Sequence, residues 1–252
     1  MKLSIACVTQ AAPTREHLLN VLAGLAEFLE AELVWGAHGS RALEGLADQQ
    51  HVVEVHGEIF EELIDPVLDR CTGDYVLRID DDERVSAQLA HWIRSGAYLE
   101  HDSWFFSRYH LWPDDQHVIV QPPYFPDFQQ RLTTRAKAYR PHTLHAASPY
   151  PAWRAPTYLE HHCYIIEGRD ERRRTIAKYE ALKLGQPFNP EDITVVFPFD
   201  DPAVIVKPLE GNFHRLQHLA DSVIYWRQSG QEIHGALKLQ LDSWLQTREN
   251  HE

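Results

Sequence analysis

Three consecutive carboxylates, Asp80, Asp81 and Asp82, followed by Glu83, close a short apolar run from Tyr75 to Ile79. The run is itself preceded by the turn pair Gly73-Asp74. Adjacent carboxylates repel one another, and a bound divalent cation removes that cost and lowers their pKa values. Hard ions such as Mg²⁺ and Mn²⁺ take carboxylate oxygens and can hold phosphate oxygens at the same time. In an extended chain the side chains alternate, so Asp80 and Asp82 would face one ion while Asp81 points elsewhere. The plain alternative is a solvated acidic turn in which Asp82 and Glu83 cap the next helix.

Strands must deliver these carboxylates to the edge of a sheet, and the first hundred residues supply them. Leu3 to Val8 reads as a buried strand ending at Thr9, with a helix from Thr14 through Phe28 behind it. Leu33 to Ala37 is a second strand that runs into the turn His38-Gly39-Ser40, and Val52, Val53 and Val55 mark a third. Phe60, Leu63, Ile64, Val67 and Leu68 recur at helical spacing, with Gly73 as the stop. Ser86 is placed to cap a helix carrying Leu89, Trp92 and Ile93. Strands alternating with such helices predict an α/β fold with a mostly parallel central sheet flanked by helices. Ligands of these sheets sit beyond the carboxyl ends of the strands. Thr9, the His38 turn and the acidic run all fall there.

After residue 100 the pattern changes. Trp104 to Phe106, Tyr109 to Trp112, Val118 to Val120 and the surroundings of Leu132 read as strand segments. Pro141 to Pro156 reads as a loop over the substrate. Helices return from Arg169 to Leu184 and from Phe213 to Trp244, with a linker from Pro187 to Pro208 between them. The last helices carry Leu216, Leu219, Val223, Ile224, Ile233, Leu237 and Leu241, an apolar surface for the core or for a second subunit in a homodimer.

Composition sets the outer bounds. The chain has 252 residues, 44% hydrophobic and 24% charged, enough for one substantial core and a small appended element. No segment approaches the roughly 18 consecutive apolar residues of a membrane helix, and Met1 to Thr9 lacks a signal-peptide cleavage pattern. These features predict a cytoplasmic protein, with a peripheral contact at the inner membrane face left open. Cys7, Cys71 and Cys163 make no disulfide framework and no Cys-x-x-Cys pair. A formal charge of −13 works against nucleic acid as a partner.

The chain resembles the large family-2-like glycosyltransferases of the GT-A fold. Leu3 to Thr9 resembles their first strand, Gly36 to Ser40 the turn after their second, and Gly73 to Glu83 the stretch that leads into their Asp-x-Asp motif. Pro126-Asp127-Phe128-Gln129-Gln130-Arg131-Leu132 and His161-His162, followed by Arg172, Lys178 and Tyr179, resemble two further recurring segments. The resemblance covers roughly residues 1 to 185. It implies a GT-A-like (Rossmann-like) catalytic domain over 1–200, with a nucleotide-sugar-binding half (1–100) and an acceptor-binding half (101–200). Residues 201–252 form a C-terminal helical extension in this reading.

The implied reaction is metal-dependent transfer of a sugar, with inversion, from a nucleotide-diphosphate donor to a hydroxyl of a glycan or other acceptor. By resemblance, Thr9 lies near the base or ribose, and Asp80 and Asp82 surround Mn²⁺ or Mg²⁺ and the diphosphate. His161 or His162 is a further metal ligand, the resemblance favouring His161, and its neighbour faces the other way if this is a strand. Asp81 would point to a sugar hydroxyl. Inversion requires a base for the acceptor hydroxyl, and Asp127, between a proline-rich loop and a strand, is the candidate. It could instead pair with Arg131. Arg131 and Arg135 could face the diphosphate through paired hydrogen bonds. Arg172, Arg173, Arg174 and Lys178 form a basic face that is either solvated or closes on a phosphate. Trp104, Tyr109, Trp112 and Tyr124 are core aromatics as a group.

Two alternatives share the same sheet. A nucleotidyltransferase acting on a sugar phosphate would want a Gly- and Lys/Arg-rich first loop, and this one has only Arg15. A non-catalytic carbohydrate-binding protein would not need Asp80, Asp82 and His161. No Gly-x-x-x-x-Gly-Lys or Gly-x-Gly-x-x-Gly run occurs.

Overall fold

The computed structural model describes residues 1–10, 16–45, 51–57, 60–121, 124–125, 127–138, 140, 148–181 and 204–209. The first half is built on β1 (Leu3–Thr9), every residue of which is buried. β2 (Glu32–His38) lies parallel beside it, with Cys7 opposite Trp35 and Thr9 opposite Ala37. β3 (Val52–Val55) extends the sheet beyond β2, and β4 (Tyr75–Arg78) flanks β1 on the other side with Ala6 opposite Arg78, both parallel. Four helices accompany these strands: α1 (Glu16–Leu29), α2 (Ser40–Gly45), α3 (Phe60–Arg70) and α4 (Ala87–Arg94).

Period two decides which face each residue of β1 serves. Leu3, Ile5 and Cys7 pack with Leu19 and Leu22 of α1 and with Leu89 and Ile93 of α4. Ala6 and Val8 pack on the other side with Ile64 and Val67 of α3. A strand covered by helices on both faces has no polar side, which is why β1 reads as a continuous apolar run.

The second half enters the same sheet. β5 (Glu83–Val85), β6 (Ser103–His110), β7 (His117–Ile119), β8 (Asp127–Thr134) and β9 (Trp153–His161) follow in sequence. The eight-stranded order is β3-β2-β1-β4-β8-β6-β9-β5. β8 is antiparallel to β4 and to β6, β9 is parallel to β6, and β5 is antiparallel to β9. The α/β, mostly parallel arrangement expected from the sequence is thus present, with the antiparallel members confined to the second half. After β9 come α5 (Cys163–Ile166), α6 (Arg169–Ala181) and β10 (Val206–Pro208), which pairs with β7 in a separate two-stranded sheet.

Two expectations change. α3 stops at Arg70, before Gly73. Gly73 is needed for approach instead: a Cβ there would lie 2.6 Å from the Ser4 backbone nitrogen. Its amide donates to Ser4 Oγ at 2.8 Å, fastening the start of β4 to β1. The end of the expected substrate loop, from Trp153 onward, is the first part of β9. Exposed Pro156 falls where the β6–β9 register shifts, so its missing N–H interrupts no regular ladder. Ser86 caps α4 as expected, accepting the Leu89 amide at 3.1 Å. The predicted helix from Phe213 to Trp244, the apolar run Ile193 to Phe197, Thr14 and residues 141–147 lie outside the described residues.

Candidate functional site

The acidic run sits where β4 ends, at the carboxyl edge of the parallel strands. It is a turn, not an extended segment: the Glu83 amide donates to the Asp80 carbonyl at 2.9 Å, and the Asp80 amide donates to Glu83 Oε2 at 3.1 Å. The alternation argument for Asp80 and Asp82 therefore does not apply. Glu83 caps no helix either; it opens β5 and is buried opposite His161 of β9. The His162 amide donates to the Asp82 carbonyl at 2.8 Å, tying the turn to the end of β9. The Ile79 amide donates to the Ala6 carbonyl at 3.0 Å, so the end of β1 lies beside the turn; burial, then the charges of Asp81 and Asp80, push the Cys7 thiol well up.

Arginines from the second half meet these carboxylates. Arg131 of β8, 2% exposed at its side chain, donates Nη2 to Asp80 Oδ2 and to Glu83 Oε1, the latter at 2.7 Å. Arg108 of β6 lies 3.4 Å from Glu83 Oε1 and donates Nε to Asp127 Oδ2 at 2.6 Å. Arg131 is thereby committed to the acidic turn, and the partner of Asp127 is Arg108, not Arg131. One oxygen of the turn, Asp80 Oδ1, is buried without a hydrogen-bond partner among the described residues. Among the donors in the same condition are Nε of Arg78 and Nε of Arg131. Buried polar atoms left this way point to ligands or waters.

Asp127 begins β8. Its Oδ2 takes Arg108 and His110 Nε2 (2.9 Å), and its Oδ1 takes the Gln129 amide at 2.7 Å. Burial pulls its pKa up, but the Arg108 guanidinium and the His110 hydrogen bond hold the carboxyl well below the usual range. Burial also pushes His110 down to about 3, against the raising pull of Asp127.

His110 ends β6 and His161 ends β9, and the parallel register sets them side by side. Their Nδ1 atoms are 2.9 Å apart, and Cys163 Sγ lies 3.4 Å from His161 Nδ1. His161 Nε2 faces Asp82 Oδ2 at 3.3 Å. Burial lowers the His161 pKa, yet the neighbouring Cys163 and Asp82 outweigh it and hold it up at about 10. His162 lies just past β9, at the start of α5 with φ −96° and ψ 5°, and its Nε2 is 3.8 Å from Glu160, so strand alternation does not apply to it. His110, His161 and Cys163, all buried, form a group able to hold a metal ion.

Other expected residues scatter. Thr9, 1% exposed, ends β1 on the same edge as the acidic turn. Arg135 lies at the far end of β4, its amide bonded to the Asp74 carbonyl, away from the turn. Arg172 pairs with Glu167 at 3.4 Å and lies over the Tyr164 ring, while Arg174 bonds the Asp170 carbonyl. The side chains of Lys178 and Tyr179 lie outside the description. Trp104 and Tyr109 are core: the first donates to the Tyr98 carbonyl and the second stacks on Tyr158. Sequence reasoning missed Arg108, His110 and Cys163. Arg108 and His110 are two apart on one strand, and Cys163 is two beyond His161; that spacing was the available signal.

No protein-family model matches the sequence, and neither does any curated protein. Among solved structures the chain is similar to S. aureus TarS in complex with UDP, at 15% identity and TM-score 0.37, over 54% of this chain and 47% of that one. It thus spans about half the length of that structure. A second TarS structure gives 14% identity and TM-score 0.43, over 77% and 69%. A 4-diphosphocytidyl-2C-methyl-D-erythritol synthase from Anaerococcus prevotii gives 11% and 0.41, over 72% and 99%. The fold class rests on the strand order and pairing themselves. Among the described residues no helix is long and apolar enough to cross a membrane.

Proposed function

We propose that the chain is a glycosyltransferase that moves a sugar, with inversion, from a nucleotide-diphosphate donor to an acceptor hydroxyl, aided by Mn²⁺ or Mg²⁺. The observation that carries this reading is the carboxylate turn at the carboxyl edge of β1 and β4, with one buried oxygen of Asp80 unpartnered. The residues present fit a hard ion. Asp82 Oδ2 and His161 Nε2, 3.3 Å apart, are spaced as two ligands of one ion would be. Asp80, Asp82 and His161 would hold it. Such an ion offsets the negative charge on the departing diphosphate.

The chain's own groups do the remaining work. Thr9 borders the base or ribose, and Asp81 accepts from a sugar hydroxyl. Arg131 reaches the diphosphate through its unpartnered Nε–H, since its Nη2 serves the turn. Asp127 receives the acceptor's proton at Oδ1, the oxygen opposite Arg108 and His110. Its depressed basicity makes that transfer late, after the new bond to the sugar carbon has acidified the hydroxyl. The acceptor class is a glycan or other hydroxyl compound met in the cytoplasm or at the inner membrane face.

The test is binding of a panel of sugar nucleotides, with and without Mn²⁺, to the wild type and to Asp82→Ala. One donor should bind only with the metal, and the substitution should abolish that dependence. A folded wild type that binds no nucleotide under any condition would overturn the reading.

A further inference from the structure

The imidazole of His161 faces two chemistries. Nε2 looks toward the oxygen-rich turn. Nδ1 looks away from it, to His110 Nδ1 at 2.9 Å and Cys163 Sγ at 3.4 Å. One ligand atom from each of the three residues lies within 4.8 Å of the others. All three residues are buried. The positions are set by backbone: His110 and His161 are register partners in parallel strands, and the Leu111 amide bonds the His161 carbonyl at 3.0 Å. Cys163 differs from the other two cysteines, whose sulfurs sit against the backbone carbonyls of Val8 and Val67.

We propose that His110 Nδ1, His161 Nδ1 and Cys163 Sγ form a site for a borderline-soft divalent ion of the zinc class. Tetrahedral zinc takes nitrogen at about 2.0–2.1 Å and sulfur at about 2.3 Å. That geometry separates two nitrogens by roughly 3.4 Å and a nitrogen from a sulfur by roughly 3.6 Å. The 2.9 Å nitrogen–nitrogen separation needs to open by about 0.5 Å and the 3.4 Å nitrogen–sulfur separation by about 0.2 Å. Behind each imidazole stands a carboxylate: Asp127 Oδ2 is 2.9 Å from His110 Nε2, and Asp82 Oδ2 is 3.3 Å from His161 Nε2. Histidines on metals donate their other ring N–H to such partners, which fixes the tautomer and the ring plane. A thiolate selects zinc over magnesium or manganese. On binding, the Cys163 thiol and the Nδ1–H of a protonated His161 release their protons to solvent, and both rings present neutral Nδ1 lone pairs.

One consequence rests on the transferase reading. A His161 that gives Nδ1 to zinc keeps its Nε2–H toward Asp82 and no longer ligates the hard ion. Zinc therefore competes for His161 while leaving the carboxylates of the turn in place.

The experiment uses the full chain, stripped with a chelator and titrated with Co²⁺. One equivalent should produce a sulfur-to-cobalt charge-transfer absorption and the intense visible bands of four-coordinate cobalt, and zinc should bleach both. Cys163→Ser should lose the charge-transfer absorption and Cys71→Ser should keep it. A weak, six-coordinate spectrum in the wild type, or a sulfur band that survives in Cys163→Ser, overturns the site. Should Cys163→Ser not fold, X-ray absorption of the zinc-loaded wild type decides. One sulfur among nitrogen neighbours upholds the site, and a shell without sulfur overturns it. Neither readout involves a sugar nucleotide, so this site and the transferase reading fail separately.

Discussion

Arg131 Nη2 donates to Glu83 Oε1 at 2.7 Å, and both side chains are withdrawn from solvent. The pair joins β8 to the first residue after the acidic turn, and the same nitrogen reaches Asp80. A buried ion pair adds little over an apolar pair, but removing one partner strands the other. Glu83→Ala should therefore lose about 3–5 kcal/mol in urea unfolding. Glu83→Met with Arg131→Leu should recover part of that loss. An unchanged midpoint for Glu83→Ala would show that the pair does not hold the turn.

Asp82 and Asp127 should separate donor binding from turnover. Asp82→Asn removes a proposed metal ligand, so metal-dependent nucleotide binding should fall to the metal-free level. Asp127→Asn leaves the turn intact and should keep that binding, while turnover drops by about 10²–10⁴-fold. Calorimetric titration with the donor and a nucleoside diphosphate release assay give the two readings. Loss of donor binding in Asp127→Asn, with the fold intact by circular dichroism, would place Asp127 in the donor site.

Much of this frame was legible in the sequence because it is local. The apolar run of β1, the stripes of α1 and α3 and the Ser86 cap are each decided by residues a few positions apart. The acidic run was also legible as a cluster, with a turn as one of its two readings, but the opening of β5 at Glu83 was not, because β5 has only three residues and its partner lies in β9. What stayed hidden depends on strand order. Nothing near Arg108 announces that β8 will place Asp127 beside it, and His110 meets His161 only because β9 is laid parallel to β6. The pairing of Arg131 with Glu83 has the same origin.

Glu32 supplies a pH test. Its carboxylate accepts from Ser4 Oγ at 2.5 Å, from the Thr72 amide at 2.7 Å and from the Thr72 hydroxyl at 3.2 Å. Burial raises its pKa, and the hydrogen bonds from Ser4 and Thr72 outweigh this and lower it. A lowered folded pKa means stability that is present above the unfolded value, about 4.3, and lost as pH falls through the folded value. Glu32→Gln should be about 1–2 kcal/mol less stable at neutral pH, and its stability should fall less steeply than the wild type's below about pH 5. Parallel pH profiles for the two proteins would remove Glu32 from the account.

Gly73 and Gly36 make a matched pair, because each lacks room for a methyl group but for different reasons. At Gly73 a Cβ would meet the Ser4 backbone nitrogen at 2.6 Å and the Leu3 carbonyl carbon at 2.9 Å. Neither atom can move without displacing β1, whose residues Leu3 and Ser4 pair with Tyr75 and Val76 of β4. At Gly36 the nearest atom, also at 2.6 Å, is Val67 Cγ2, a side-chain methyl of α3. Overpacking costs about 1–3 kcal/mol in general, and the cost depends on what can yield. Gly73→Ala should sit at or above the top of that range and should also weaken metal-dependent nucleotide binding, because β4 carries the acidic turn. Gly36→Ala should cost less and leave that binding in place, and adding Val67→Ala should relieve the clash. Urea unfolding of the three proteins, with donor binding measured on each, checks the order. Equal losses at both glycines would mean that β4 can shift on β1 without disturbing the turn.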